Sequence, residues 1–324
     1  FMNGMLYFSA NNNGLNGAEL WKSDGTESGT VMVKDIWPGT AGAQPNSLTP
    51  MGGILHFKAQ DNSDNGYELW KSDGTAAGTV MVKDIEAGYG SSSPAFLTNV
   101  NGTLYFKATN FLTTGEELWK SDGTAAGTVL VMDINPGTGN SNILSLKNVN
   151  NVLFFVASDG VNGAELWKSD GTPVGTVLVK DINAGSGSGL DGWNSLFTAV
   201  NGALFFRANN GVNGTEWWKS DGATAGTVLV KDIVPGAGTS GTGSPVSSNG
   251  MLYMSASDGV NGYELWKSDG TAAGTEMVLN YANQNGSSAP TGFTELGSTT
   301  FFAAANGADG IELWKTDGTE AGTV

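Results

Sequence analysis

The sequence predicts an all-β fold, a β-propeller of seven blades with four antiparallel strands in each. Three observations carry that expectation. The stretch Glu19-Leu20-Trp21-Lys22-Ser23-Asp24-Gly25-Thr26 recurs along the whole chain, with its tryptophan at Trp21, Trp70, Trp119, Trp167, Trp218, Trp266 and Trp314, at intervals of 48 to 51 residues. Each period holds four strand-length segments divided by turn residues, and units of this size cannot bury a core alone, so they must stack. No segment has the 3.6-residue apolar period of a helix, and the 49 glycines in 324 residues interrupt every stretch of helix length.

One full unit shows the elements in order. Residues 96–100 form strand A, and Asn101-Gly102 follows, a hairpin signal because both positions tolerate positive φ. Residues 103–108, rich in β-branched and aromatic side chains, form strand B. An irregular link over 109–115 leads to strand C at 116–121. The Asp122-Gly123 turn then leads to strand D at 128–134, and a Pro/Gly/Ser/Asn crossover over 135–142 opens the next unit. Three hairpins and one long crossover are the chain path of a propeller blade; a β-solenoid would need shorter, nearly turn-free coils.

Counting strands gives the blade number. Strands B and C occur seven times, strand D six times with a seventh beginning at Val324, and strand A six times with only Phe1-Met2 left of the first. The missing D strand, crossover and A strand are consecutive in a closed ring, so residues 1–324 are expected to be one domain of seven repeats of about 49 residues. The closing segment lies outside this chain on that reading. A six-bladed ring with a spare partial unit is the alternative.

Composition narrows the partners. Fifteen basic against 31 acidic residues give a net charge of −16. Nucleic acid demands clustered Lys and Arg, whereas Arg207 is the sole arginine and the lysines are scattered. No nucleic acid and no membrane insertion are expected, since no apolar run reaches the roughly 18 residues of a span. The absence of cysteine removes disulfides and thiolate chemistry. The chain opens on Phe1 rather than a leader and reads as part of a longer protein.

With these residues in view, the repeated Glu-Leu-Trp-Lys-Ser-Asp-Gly-Thr cores, each followed by Gly-Thr as at Gly29-Thr30 and Gly78-Thr79, resemble the ELWxxDGT-repeat family of bacterial proteins. The resemblance spans the whole chain and implies propeller-type repeats in an exported or cell-surface protein, with no catalytic residues to carry over. Departures are local: Trp217 for Leu, Ala223 for Thr, Thr316 for Ser and Met132 for Lys.

The motif itself reads as structure. On strand C, Glu19, Trp21 and Ser23 point one way and Leu20 and Lys22 the other. The seven tryptophans are expected as inter-blade wedges whose indole N–H groups need partners. At the C–D hairpin, Asp24, Asp73, Asp122, Asp170, Asp221, Asp269 and Asp317 accept turn N–H groups while glycine supplies positive φ. This hairpin is similar to the Asp-box of sialidase-type propellers, where it is structural.

Function is expected on the other face, in the loops that do not repeat. Trp193, beside Asp191 and Asn194, leads the ligand-binding candidates, followed by Trp37, Tyr89 and Phe111. The Asx-Gly links between strands B and C suggest calcium as the one cofactor candidate, through Asp159, Asn162, Asp258 and Asn261, although the acidic residue that closes an EF-hand loop is missing. His56 is the sole histidine and sits inside strand B, and most carboxylates are repeated rather than unique, so no catalytic residues and no enzyme are expected. The functional expectation is an extracellular adhesive or scaffold module with a protein or glycan ligand, the alternative being a multivalent carbohydrate-binding lectin.

Overall fold

In the computed structural model, residues 1–12, 14–61, 65–88, 90–191, 196–241, 243–280, 286–306 and 310–324 are described. They form 26 strands in seven antiparallel sheets that follow one another along the chain. The first sheet is β1 (Leu6–Asn11), β2 (Ala18–Ser23) and β3 (Val31–Lys34); the second is β4 (Asn46–Met51), β5 (Ile54–Ala59), β6 (Glu68–Ser72) and β7 (Val80–Lys83). The third is β8 (Ala95–Val100), β9 (Thr103–Asn110), β10 (Gly115–Ser121) and β11 (Val129–Met132). The fourth is β12 (Leu144–Val149), β13 (Val152–Ala157), β14 (Glu165–Ser169) and β15 (Val177–Lys180). The fifth is β16 (Thr198–Val200), β17 (Ala203–Asn209), β18 (Thr215–Ser220) and β19 (Val228–Lys231). The sixth is β20 (Val246–Ser248), β21 (Met251–Ser257), β22 (Tyr263–Ser268) and β23 (Glu276–Leu279), and the seventh is β24 (Thr291–Leu296), β25 (Thr299–Ala305) and β26 (Ile311–Thr316).

This is a β-propeller arrangement of seven sheets, which removes the six-bladed alternative. Met2 forms an isolated antiparallel bridge with Met5, and Val324 exchanges backbone hydrogen bonds with Lys315. Contacts divide the chain into two compact units, one of residues 1–160 and 169–177, the other of residues 161–168 and 178–324.

Within each unit the same packing rule repeats. In the first, Leu69, Val82 and Ile85 of the second sheet meet Leu104, Phe106, Ala108 and Trp119 of the third. In the second unit, Val230 and Ile233 of the fifth sheet share a cluster with Leu252, Met254, Ala256 and Trp266 of the sixth. Period-2 alternation therefore sends the strand C leucine toward the following sheet and its tryptophan toward the preceding one. Lysines stitch the same seams. Lys71 Nζ donates to the Gly123 carbonyl (2.7 Å), and Lys83 Nζ donates to the Thr128 carbonyl (2.7 Å) while lying 6.0 Å from the Trp119 ring centre.

The indole expectation is corrected here. Nε1 of Trp21, Trp70, Trp119, Trp167 and Trp266 is buried without a hydrogen-bond partner, whereas Trp314 donates to the Ala304 carbonyl (3.0 Å). At Trp119 and Trp266 a lysine from the preceding sheet lies over the ring face.

The C–D hairpin is a closed mesh of polar bonds. Asp73 Oδ1 accepts the Thr75 amide (2.8 Å) and hydroxyl (2.7 Å), Thr75 Oγ1 accepts the Gly78 amide (3.0 Å), and Ser72 Oγ accepts the Gly74 amide (3.0 Å). The Thr75 hydroxyl and amide hold the Asp73 carboxyl below its ordinary range. Gly123 is required twice over. Its φ is +87°, and a Cβ there would lie 3.1 Å from Nε2 of His56 on the preceding sheet.

A second repeated device ties strand C to the crossover that follows strand D. The motif glutamates Glu19, Glu68, Glu117, Glu165, Glu216 and Glu264 have no solvent exposure. Glu165 accepts the amides of Ile182 (2.9 Å), Asn183 (3.2 Å) and Gly189 (2.7 Å), so one side chain fixes both ends of the crossover. Glu312, which no crossover covers, is exposed.

Burial outweighs the N–H donors and pushes Glu68, Glu117 and Glu216 up to about 7. The folded state then binds more protons than the unfolded chain above the ordinary glutamate value, so this contribution is present at low pH and is lost as pH rises through about 7. The hairpin aspartates act oppositely at the acid end, since their lowered values favour folding only above the ordinary aspartate range. His56, lowered chiefly by burial, also opposes the glutamates below the ordinary histidine value, but it is one group against three. Thermal unfolding followed by circular dichroism should therefore give a higher midpoint near pH 5 than near pH 8. Glu117→Gln should reduce that difference, and a midpoint that rises steadily to pH 8 would refute the assignment.

Candidate functional site

The sequence candidates separate in the structure. Trp193, Asn194 and Tyr89 lie outside the described residues. Trp37 is half-buried against the cluster of Leu20, Val33 and Ile36, which makes it a packing residue. Phe111 is exposed, and its amide donates to Glu86 Oε2 (2.8 Å). Asp191 is exposed and lines a cavity described below.

The calcium candidates are occupied by the chain itself. Asp258 Oδ1 accepts the amides of Val260 (2.9 Å) and Asn261 (2.8 Å), and its Oδ2 accepts the Asn261 side chain (2.7 Å). Asp159 and Asn162 also have protein partners. These links are Asx turns, and among the described residues no three His, Cys, Asp or Glu side chains cluster as metal ligands would.

His56 is 1% exposed, with both ring nitrogens lacking hydrogen-bond partners, and desolvation lowers its pKa. It takes the strand B place that Tyr7, Tyr105 and Tyr253 hold elsewhere, over the hairpin glycine of the next sheet. No serine or carboxylate is hydrogen-bonded to it, so it is not paired as the base of a nucleophile.

The fifth sheet also breaks the repeat with chemistry. Arg207 on β17 pairs with Trp217 on β18 at a register position where the second and third sheets pair Lys58 with Leu69 and Lys107 with Leu118. The lysines have local partners: Lys58 Nζ lies 5.1 Å from the Tyr67 ring centre, and Lys107 Nζ is 2.8 Å from Glu116 Oε2. The residue matching Tyr67 and Glu116 is Thr215, too short to fill that space. The result is a cavity of about 150 Å³ lined by Ser188, Asp191, Arg207, Asn209 and Thr215. Arg207 is 6% exposed, and its Nε is buried without a hydrogen-bond partner. Burial lowers its pKa, opposed by the charges of Asp191, Glu216 and Tyr263.

No known protein family and no curated protein matches the sequence. Solved structures do share the fold. The chain aligns over its whole length with 48% of a chain from a study of two prolyl endopeptidases, at 13% identity and a TM-score of 0.55. It also aligns over 98% of its length with 52% of a puromycin hydrolase (13% identity, TM-score 0.48). A puromycin-hydrolysing peptidase of Mycobacterium tuberculosis matches over 100% of this chain and 52% of that one (10% identity, TM-score 0.48). The chain thus spans about half the length of these proteins. The prolyl endopeptidase likeness identifies the β-propeller fold. The expectation of an adhesive scaffold or a glycan-binding lectin is corrected by this finding, since the similar chain comes from a study of prolyl endopeptidases.

Proposed function

We propose that this propeller binds peptides in the service of a peptide-cleaving enzyme and leaves bond breaking to another domain or chain. The observation that carries the reading is the full-length likeness to about half of a chain from a study of prolyl endopeptidases. The state of His56 supports a non-catalytic role, because no serine or carboxylate among the described residues is hydrogen-bonded to it. A net charge of −16 favours peptides with basic or neutral bodies, which the field would draw to the surface.

The test combines binding and cleavage on the purified chain. Fluorescence anisotropy with labelled, unstructured peptides of varied charge should show saturable binding that weakens with added salt. Mass spectrometry of the same mixtures should recover the peptides uncut. Binding by none of the peptides would overturn the proposal, and cleavage by the purified chain would overturn its non-catalytic part.

A further inference from the structure

We propose that the cavity floored by Arg207 is a carboxylate-binding site, which takes the free C-terminal carboxylate of a peptide. The choice of a peptide as the source rests on the function proposed above; the carboxylate site rests on the fifth sheet alone.

A guanidinium presents planar, parallel N–H donors that match the two oxygens of a carboxylate. Buried arginines elsewhere in proteins are held by such partners, because an unpaired buried charge is strongly unfavourable. Arg207 is more than nine-tenths buried, yet its Nε has no hydrogen-bond partner and the side chain borders open space. The cavity, about 150 Å³, is several times the roughly 30 Å³ that one water occupies in the liquid.

The comparison with neighbouring sheets isolates what is new. Where a lysine holds this place, Tyr67 or Glu116 of the same sheet lies against it. In the fifth sheet Thr215 leaves the space empty, and Trp217 replaces leucine beside the guanidinium. Arg207 and Trp217 thus face each other at one paired position, and Thr215, paired with Asn209, leaves room next to the cation. Asn209 and Thr215 on the wall supply an amide and a hydroxyl, while Gly211 N–H already occupies Asn209 Oδ1 (2.8 Å). The Asn209 amide is therefore turned with its oxygen engaged, which leaves its NH₂ as the donor for an incoming anion. Asp191 at the mouth interacts with the same guanidinium. An arriving carboxylate would compete with it, and the cationic or neutral remainder of the peptide would meet Asp191 instead.

Because Arg207 is the sole arginine, its Nε–H gives a single signal in a ¹⁵N–¹H spectrum of the labelled chain. Titration with sodium acetate, an N-acetylated tripeptide acid and the corresponding C-terminal amide reads the site directly. Acetate and the acid should move the signal and the amide should not, with the acid binding at least tenfold more tightly than acetate. By calorimetry, Arg207→Lys should weaken the acid at least tenfold, and Asp191→Ala should strengthen it several-fold by removing the competing carboxylate. If Arg207→Lys does not fold, the wild-type spectrum and Asp191→Ala still decide the matter. A signal that moves with no carboxylate, or equally with the amide, overturns the site. A signal that moves with acetate while the peptide acid binds no better upholds the carboxylate site and overturns the peptide source.

Discussion

Replacing Glu68 by alanine is expected to destabilise the fold by roughly 3–9 kcal/mol, as the sum of three buried donors left without acceptors. Glu68 Oε2 accepts the Ile85 amide (3.0 Å) and the Ser92 hydroxyl (2.5 Å), and Oε1 accepts the Ser92 amide (2.8 Å). Ile85 and Ser92 are themselves buried, so water cannot take over these bonds without opening the crossover. Each orphaned donor costs about 1–3 kcal/mol. The loss is larger at pH 5 than at pH 8. At the lower pH the native carboxyl is neutral and carries no charge-burial penalty, so more stability is there to lose. Glu68→Gln keeps one acceptor and should lose much less. Urea unfolding of the three proteins measures the order, and a Glu68→Ala penalty below about 1 kcal/mol would mean that the crossover relaxes to find water.

That glutamate shows where the sequence stopped being readable. Strands were legible because their signals are local: Asn101-Gly102 marks a turn and residues 103–108 alternate, so strand B was placed to within two residues of β9 (Thr103–Asn110). The bond from Glu68 to Ile85 spans 17 residues and runs from a side chain to the backbone, which no periodicity records. The indole N–H groups were misjudged for a related reason. The general preference of a buried donor for an acceptor says nothing about a lysine from the preceding sheet covering the ring, as Lys83 covers Trp119.

The candidate site was half visible. Arg207 stood out as the sole arginine and Trp217 as a departure from the repeat, but their meaning depends on being opposite each other across β17 and β18. Aligning the repeats by strand register would have exposed the pair, together with Thr215 in place of Tyr67 and Glu116. The Asx-Gly links left calcium open as an alternative because the residue types that ligate calcium are also those that close turns on themselves, as Asp258 does with Val260 and Asn261.

Trp119→Ala is expected to cost roughly 3–5 kcal/mol, the range for truncating a large buried aromatic ring. The ring is 8% exposed and shares its cluster with Leu69, Val82 and Ile85 of the second sheet and Leu104 and Phe106 of the third. It therefore fills the seam between two sheets, and removing it leaves a void that both would have to close together. The lysine above it adds a consequence. Lys83 bonds to the Thr128 carbonyl and lies over the indole, so in the alanine variant its ammonium loses the ring but keeps the carbonyl. Lys83→Met should then lower the stability of the wild type more than that of Trp119→Ala, because part of the lysine's contribution depends on the ring. A double-mutant cycle by denaturant unfolding gives that coupling directly. Strictly additive losses would show that the tryptophan acts by packing alone, and a Trp119→Ala loss below about 1 kcal/mol would mean that the seam closes without its wedge.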